Sequence, residues 1–181
     1  HCEQCIPCRV PVNRFKPSRS QRRCLQINKN CSTHLVKAAY TDEHFELYKR
    51  YINVRHAHGN MANPVPEDYK SFLYSDWSET FFLELRENSQ LLAVAVCDHT
   101  QSGLSAVYSY YAPDAPNRSL GTYCVLKMIE HTKLMELEYL YLGYLIHDSN
   151  KMRYKQCFRP LEVFIDNRWQ DNHGSDPSVS L

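Results

Sequence analysis

The chain has 181 residues, 43% hydrophobic and 23% charged, with 21 lysines and arginines against 20 acids and a formal net charge of +1. That length can bury a core without disulfide staples, and the near-neutral charge excludes a uniformly basic nucleic-acid wrapper, leaving only a local patch for RNA. No run approaches the roughly 18 apolar residues of a membrane helix, and with five glycines the chain has no Gly-rich phosphate-cradling loop.

The chain opens on Cys2, Cys5 and Cys8, three thiols at even spacing. Arg9 to Val12 is short, apolar and β-branched, and reads as a strand. Pro17-Ser18 supplies a turn and an N-cap for a basic helix through Ser20 to Leu25. Thr41-Asp42-Glu43 opens a second helix, on which Phe45, Tyr48, Tyr51 and Ile52 recur at helical steps until Gly59 and the Pro64/Pro66 pair. A short helix is expected around Glu67 to Tyr74. The period then changes: Thr80 to Leu85, Leu91 to Val96 and Leu104 to Tyr110 read as successive strands. Ser119 is placed to cap a long helix to about Leu137, with Tyr123, Leu126, Met128, Ile129 and Leu134 on its buried side. Tyr139 to Tyr144 is a further strand, and the polar tail from Asp171 to Leu181 reads as disordered. Cys24, Cys31, Cys97, Cys124 and Cys157 are scattered, several in apolar runs, as expected of buried small hydrophobes in a reducing compartment.

Three antiparallel strands, a helix and another strand is the core order of an α+β, acetyltransferase-like (acyl-CoA N-acyltransferase-like) fold, a mixed sheet flanked by helices. The expected division is a remnant of a Cys-rich region with the basic helix over 1–30, the transferase-like domain over 31–170 and the tail over 171–181. Where a coenzyme A enzyme carries its pyrophosphate loop this chain has Pro116-Asn117-Arg118-Ser119-Leu120-Gly121, so coenzyme A is not the expected acyl donor.

The ordered motifs carry a family resemblance. Cys2-Glu3-Gln4-Cys5-Ile6-Pro7-Cys8-Arg9-Val10-Pro11-Val12 runs into Phe15-Lys16-Pro17-Ser18-Arg19-Ser20-Gln21-Arg22-Arg23. Then come Tyr51-Ile52-Asn53-Val54-Arg55-His56-Ala57-His58-Gly59-Asn60-Met61 and Ser119-Leu120-Gly121-Thr122-Tyr123. Last are Tyr141-Leu142-Gly143-Tyr144-Leu145-Ile146-His147-Asp148, Lys151-Met152-Arg153-Tyr154-Lys155 and Phe158-Arg159-Pro160-Leu161-Glu162. In this order they resemble the aminoacyl-tRNA–protein transferases of the N-degron pathway, in the compact form of the bacterial aspartate/glutamate leucyltransferases. The resemblance implies a cytoplasmic aminoacyltransferase that moves leucine from charged tRNA to the α-amine of proteins beginning with Asp or Glu, marking them for degradation. Arginyl transfer is the alternative donor, and a tRNA- or peptide-binding module without transfer the non-enzymatic one. Family members carry a further N-terminal stretch with its own cysteine, so the expectation is a fragment or a shortened form.

Each constellation has a chemical reading. Cys2, Cys5 and Cys8 are three ligands of an incomplete tetrahedral site for zinc or an iron–sulfur cluster. Arg19, Arg22 and Arg23 share a helix, and their guanidinium groups suit the carboxylate of an acidic N-terminus or tRNA phosphate. His56 and His58 are candidate substrate contacts. After the strand ending at Gly143, His147 or Asp148 is placed to take the amine proton, with Tyr144 in the same catalytic cluster. Lys151, Arg153 and Lys155 are candidates for the tRNA acceptor end, with Tyr144 and Tyr154 stacking on its terminal adenine. Aminolysis of an activated ester requires no cofactor, and no membrane partner is expected.

Overall fold

The computed structural model describes residues 5–57, 62–73, 78–146, 149 and 152–172. Eight strands, β1 (Ile6–Pro11), β2 (Ser32–Lys37), β3 (Glu79–Glu87), β4 (Gln90–Thr100), β5 (Gly103–Tyr111), β6 (Tyr139–Leu145), β7 (Glu162–Ile165) and β8 (Arg168–Asp171), share one sheet in the order β2-β3-β4-β5-β6-β1-β7-β8. The helices are α1 (Arg19–Ile27), α2 (Asp42–Arg55), α3 (Pro66–Leu73) and α4 (Leu120–Leu134), with 3₁₀ turns at Pro116–Arg118 and Arg153–Cys157. The mixed α+β class is as the sequence predicts.

The sheet is buried on both faces, and the two-residue period of β3 and β4 divides the core. Leu83, Leu85, Ala93, Ala95 and Cys97 pack with Cys24 of α1 and with Cys124, Val125 and Met128 of α4. Phe82, Val94 and Val96 face Phe45, Tyr48 and Ile52 of α2 and Tyr69 of α3. Glu84 is a buried charge on the second face: its Oε1 lies 2.7 Å from Nε2 of buried His44, and its Oε2 accepts from Arg86 Nε at 2.7 Å.

Several elements differ from the sequence expectation. The strand predicted at Arg9 to Val12 starts at Ile6 and lies inside the sheet, antiparallel to both β6 and β7. Arg9 pins it there, its guanidinium 3.4 Å from the Tyr139 ring centre and 4.2 Å from that of Trp169, with Nε donating to Glu162 at 2.8 Å. Edge strand β2 and the β7–β8 hairpin are additions; Asp166 and Asn167 turn the hairpin at φ 52° and 58°. Asp171 belongs to β8 and Asn172 N–H donates to Leu161 O at 2.7 Å, so ordered structure continues past the predicted start of the tail; residues 173–181 lie outside the described residues.

Ser18 caps α1 in a capping box with Gln21, as expected. Ser119 does not cap α4: it is left-handed at φ 53° and makes no side-chain cap bond. The start of α4 is held from α1 instead. Buried Asn28 donates to Arg118 O at 2.9 Å and accepts from Arg118 Nε at 2.9 Å, while Tyr123 Oη donates to Asn28 O at 3.1 Å. The helix ends at Leu134 rather than Leu137 because Glu136 turns left-handed at φ 59°, and Leu137 N–H closes onto Thr132 O at 3.1 Å. Leu134 is consequently 71% exposed instead of buried.

Candidate active site

β5 and β6 are paired in parallel over Gly103–Ser105 and Tyr139–Tyr141. Gly103 permits this close approach, since a Cβ there would stand 2.0 Å from Tyr139 O. Beyond Ser105 the strands part, and a cavity of about 570 Å³ opens between them. A bulge lies on each bank. Val96 and Cys97 face Tyr108 and Ala106, leaving Val107 as the extra residue of β5. Cys8 and Arg9 face Gly143 and Tyr141, leaving Leu142 as the extra residue of β6. Bulges re-aim side chains locally, and Val107 and Leu142 both line the cavity.

The lining draws on both faces of the sheet. Val125 and Met128 of α4, with Leu142 and Ala106, form an apolar floor; Gly121 and Thr122 from the start of α4 continue it. From the α2 side come Tyr51, Arg55 and His56, joined by Tyr108, Ser109 and Tyr111 of β5 and by Tyr154 of the Arg153–Cys157 turn. None of the fourteen described lining residues is a carboxylate. Arg55 Nη2 donates to Tyr111 Oη at 3.5 Å, and the His56 ring packs edge-on against Tyr51 at 6.1 Å. Burial raises the Tyr51 phenol well above its ordinary range and pushes Tyr108 up to about 12, so both remain hydrogen-bond donors at neutral pH. The Tyr108 hydroxyl is buried and has no hydrogen-bond partner among the described residues.

Of the residues singled out from sequence, His56 and Tyr154 line the cavity. Arg19, Arg22 and Arg23 are exposed on α1 opposite its buried Gln21 and Cys24; Arg22 Nη1 donates to Pro17 O at 2.8 Å, and none of the three lines the cavity. α1 nonetheless borders the site, because Gln21 Nε2 donates to Cys157 O at 3.0 Å and Cys24 Sγ to Ser119 O at 3.6 Å. Arg153 is exposed. Lys155, expected on an RNA-facing surface, is buried, and its Nζ donates to Tyr144 O at 2.6 Å. Burial lowers its ammonium pKa, with the Cys8 thiol opposing that shift. Tyr144 is 55% exposed, outside the lining. Cys2, His58, His147, Asp148 and Lys151 lie outside the described residues.

Of the three N-terminal thiols, Cys5 and Cys8 are described and Cys2 is not. Cys8 is packed in the core, its Sγ donates to Gly143 O at 3.4 Å, and burial pushes the thiol up to about 11. Cys5 is exposed, and no cluster of three potential ligands occurs among the described residues. Sequence reasoning missed Arg55, Ala106, Tyr108 and Met128 as site residues. Arg55 reads as an ordinary last-turn helix cation, and the others as periodic core positions.

Solved structures place this architecture in a known class. The C-terminal domain of a protein described as a lysylphosphatidylglycerol synthetase, from Agrobacterium fabrum, matches at TM-score 0.60 with 14% identity, over 80% of this chain and 48% of that one. L-PGS from Bacillus licheniformis matches at TM-score 0.59 with 12% identity, over 81% and 46%. FemX matches at TM-score 0.55 with 8% identity, over 81% and 54%. At these identities the likeness concerns the fold alone.

Residues 43–165 match the family model of the arginine-tRNA-protein transferase C terminus. Proteins named aspartate/glutamate leucyltransferase are similar over nearly the whole chain. That of Nitrosococcus oceani is 48% identical over 93% of this chain and 71% of its own length, and that of Saccharophagus degradans 46% over 93% and 72%. That of Stenotrophomonas maltophilia R551-3 is 44% identical over 94% and 70%. The chain belongs to the arginine-tRNA-protein transferase family.

Proposed function

We propose that the chain transfers leucine from charged tRNA to the α-amine of proteins that begin with Asp or Glu, in the gap between β5 and β6. The observation that carries the choice of leucine is the cavity floor: Ala106, Val125, Met128 and Leu142 are apolar, and no carboxylate occurs among the described lining residues to pair an arginyl guanidinium. An arginyl side chain on that floor would be stripped of water without a counter-charge, whereas a leucyl side chain gains from burial.

The gap passes through the sheet, so two substrates can meet in it from opposite faces. The donor ester enters on the α4 side, with its side chain on the floor. The acceptor amine enters on the α2 side, past Arg55 and His56. The amine attacks the ester carbonyl carbon, a peptide bond forms, the carbon–oxygen bond to the ribose breaks, and the amine proton passes through a base to the departing hydroxyl. Aligning the two substrates can supply roughly 7–11 kcal/mol of the barrier. An α-amine with an ordinary pKa of about 8 is already partly neutral at physiological pH, so a modest base suffices. His56 lines the gap and is suited to that role; His147 and Asp148, which follow β6, are proposed alongside it. No metal step enters this route.

An acetyltransferase-like wedge between parallel strands is the finer fold class we infer, with an acyl group carried by tRNA rather than by coenzyme A. Exposed Arg19, Arg22, Arg23 and Arg153 are proposed to meet tRNA phosphates, so tRNA binding is expected to weaken with salt and to lose about one unit of slope in Arg23→Gln. No described helix is long and apolar enough to cross a membrane, which fits the proposed cytoplasmic setting. The direct test is competition between leucyl- and arginyl-tRNA for one Asp-initiated peptide. Leucine transfer is expected; preferential arginine transfer would reverse the donor assignment.

A further inference from the structure

The two ends of the cavity differ in chemistry, and the α2 end carries a charge that no described residue neutralises. Arg9, Arg14, Arg50, Arg86 and Arg118 each form an ion pair with a carboxylate. Arg55 forms none among the described residues; it reaches only the Tyr111 hydroxyl at 3.5 Å and stands 5.9 Å from that ring. Close by, Tyr51 packs edge-on against both Tyr111 at 4.8 Å and Tyr108 at 6.4 Å, and the Tyr108 hydroxyl is the buried group without a partner. A guanidinium with no ion pair among the described residues therefore lines one end of a cavity whose described lining has no carboxylate.

We propose that Arg55 reads the side-chain carboxylate of the acceptor's N-terminal residue. The assignment rests on the acceptor class proposed above and names the residue that selects it. A planar fork of N–H donors matches both carboxylate oxygens. Its long stem, exposed at the rim, can follow a carboxylate one or two carbons from the backbone, which accounts for acceptance of both Asp and Glu. Asn and Gln have the same shapes without the charge and are discriminated against.

The test measures transfer of labelled leucine from charged tRNA to two peptides that differ only in beginning with Asp or Asn. For the unsubstituted chain kcat/KM is expected to favour Asp. In Arg55→Gln that ratio is expected to fall roughly 10- to 100-fold toward unity, chiefly through KM, with Arg55→Lys retaining part of it. A wild-type Asp preference that persists in Arg55→Gln would overturn the assignment while leaving the transfer activity standing. Absence of leucine transfer to either peptide by the unsubstituted chain would overturn the activity reading and the assignment together.

Discussion

Ala106 sits on β5 just past the point where that strand leaves β6, facing the same cavity as Val125 and Met128. Its small side chain leaves the floor open. Ala106→Leu adds three carbons into existing space, so it is expected to block the donor side chain with little strain on the core. Leucine transfer should fall at least tenfold while the urea midpoint stays close to wild type; undiminished transfer would remove the floor from the site. Residue-level legibility was uneven. His56 stands out as one of two histidines that follow a helix within a motif of the family resemblance, and Tyr154 because it lies within a basic cluster. Arg55 was hidden by its ordinary place in the last turn of α2, where a cation complements the helix dipole. Lys155 was misplaced because a sequence gives no sign that an ammonium will fold inward onto the Tyr144 carbonyl.

At the scale of elements, the wedge depends on one short parallel contact. Gly103 faces Tyr139 where the pairing of β5 and β6 begins, and any Cβ there would collide with the Tyr139 backbone. Gly103→Ala is expected to force the strands apart and to cost about 1–3 kcal/mol or more. Chemical denaturation measures that loss, and a midpoint equal to wild type would show that the strands can part freely. The three central strands were readable because both faces are buried and each run is long and apolar. β2, β7 and β8 were not, being short and polar, and near or at the sheet edges, where neither face carries a strong period. The pairing of β1 with β6 and β7 joins residues more than 120 positions apart, and no local pattern encodes it.

Across the whole molecule, buried thiols make stability depend on alkaline pH. Burial holds Cys8 up to about 11 and both Cys97 and Cys124 up to about 12, whereas unfolded thiols ionise near about 8.5. Between those values the folded chain keeps protons that the unfolded chain releases, so stability falls as pH rises, by up to about 1.4 kcal/mol per pH unit for each thiol. Lys155 acts the other way. Burial lowers its pKa, so raising the pH toward the ordinary lysine value relieves the cost of burying its charge. One such group does not offset three thiols. The urea midpoint is therefore expected to drop between about pH 7.5 and 9.5, and to drop less in Cys97→Ala. Equal drops in the two proteins would contradict the thiol account.

The fold places an apolar floor on one side of a gap in the sheet and, on the other, a cation with no ion pair among the described residues. Competition between leucyl- and arginyl-tRNA for a peptide beginning with Asp, catalysed by the unsubstituted chain, tests this arrangement most directly. Predominant leucine incorporation into the peptide's α-amine is the predicted result, and predominant arginine incorporation, or none of either, would contradict it.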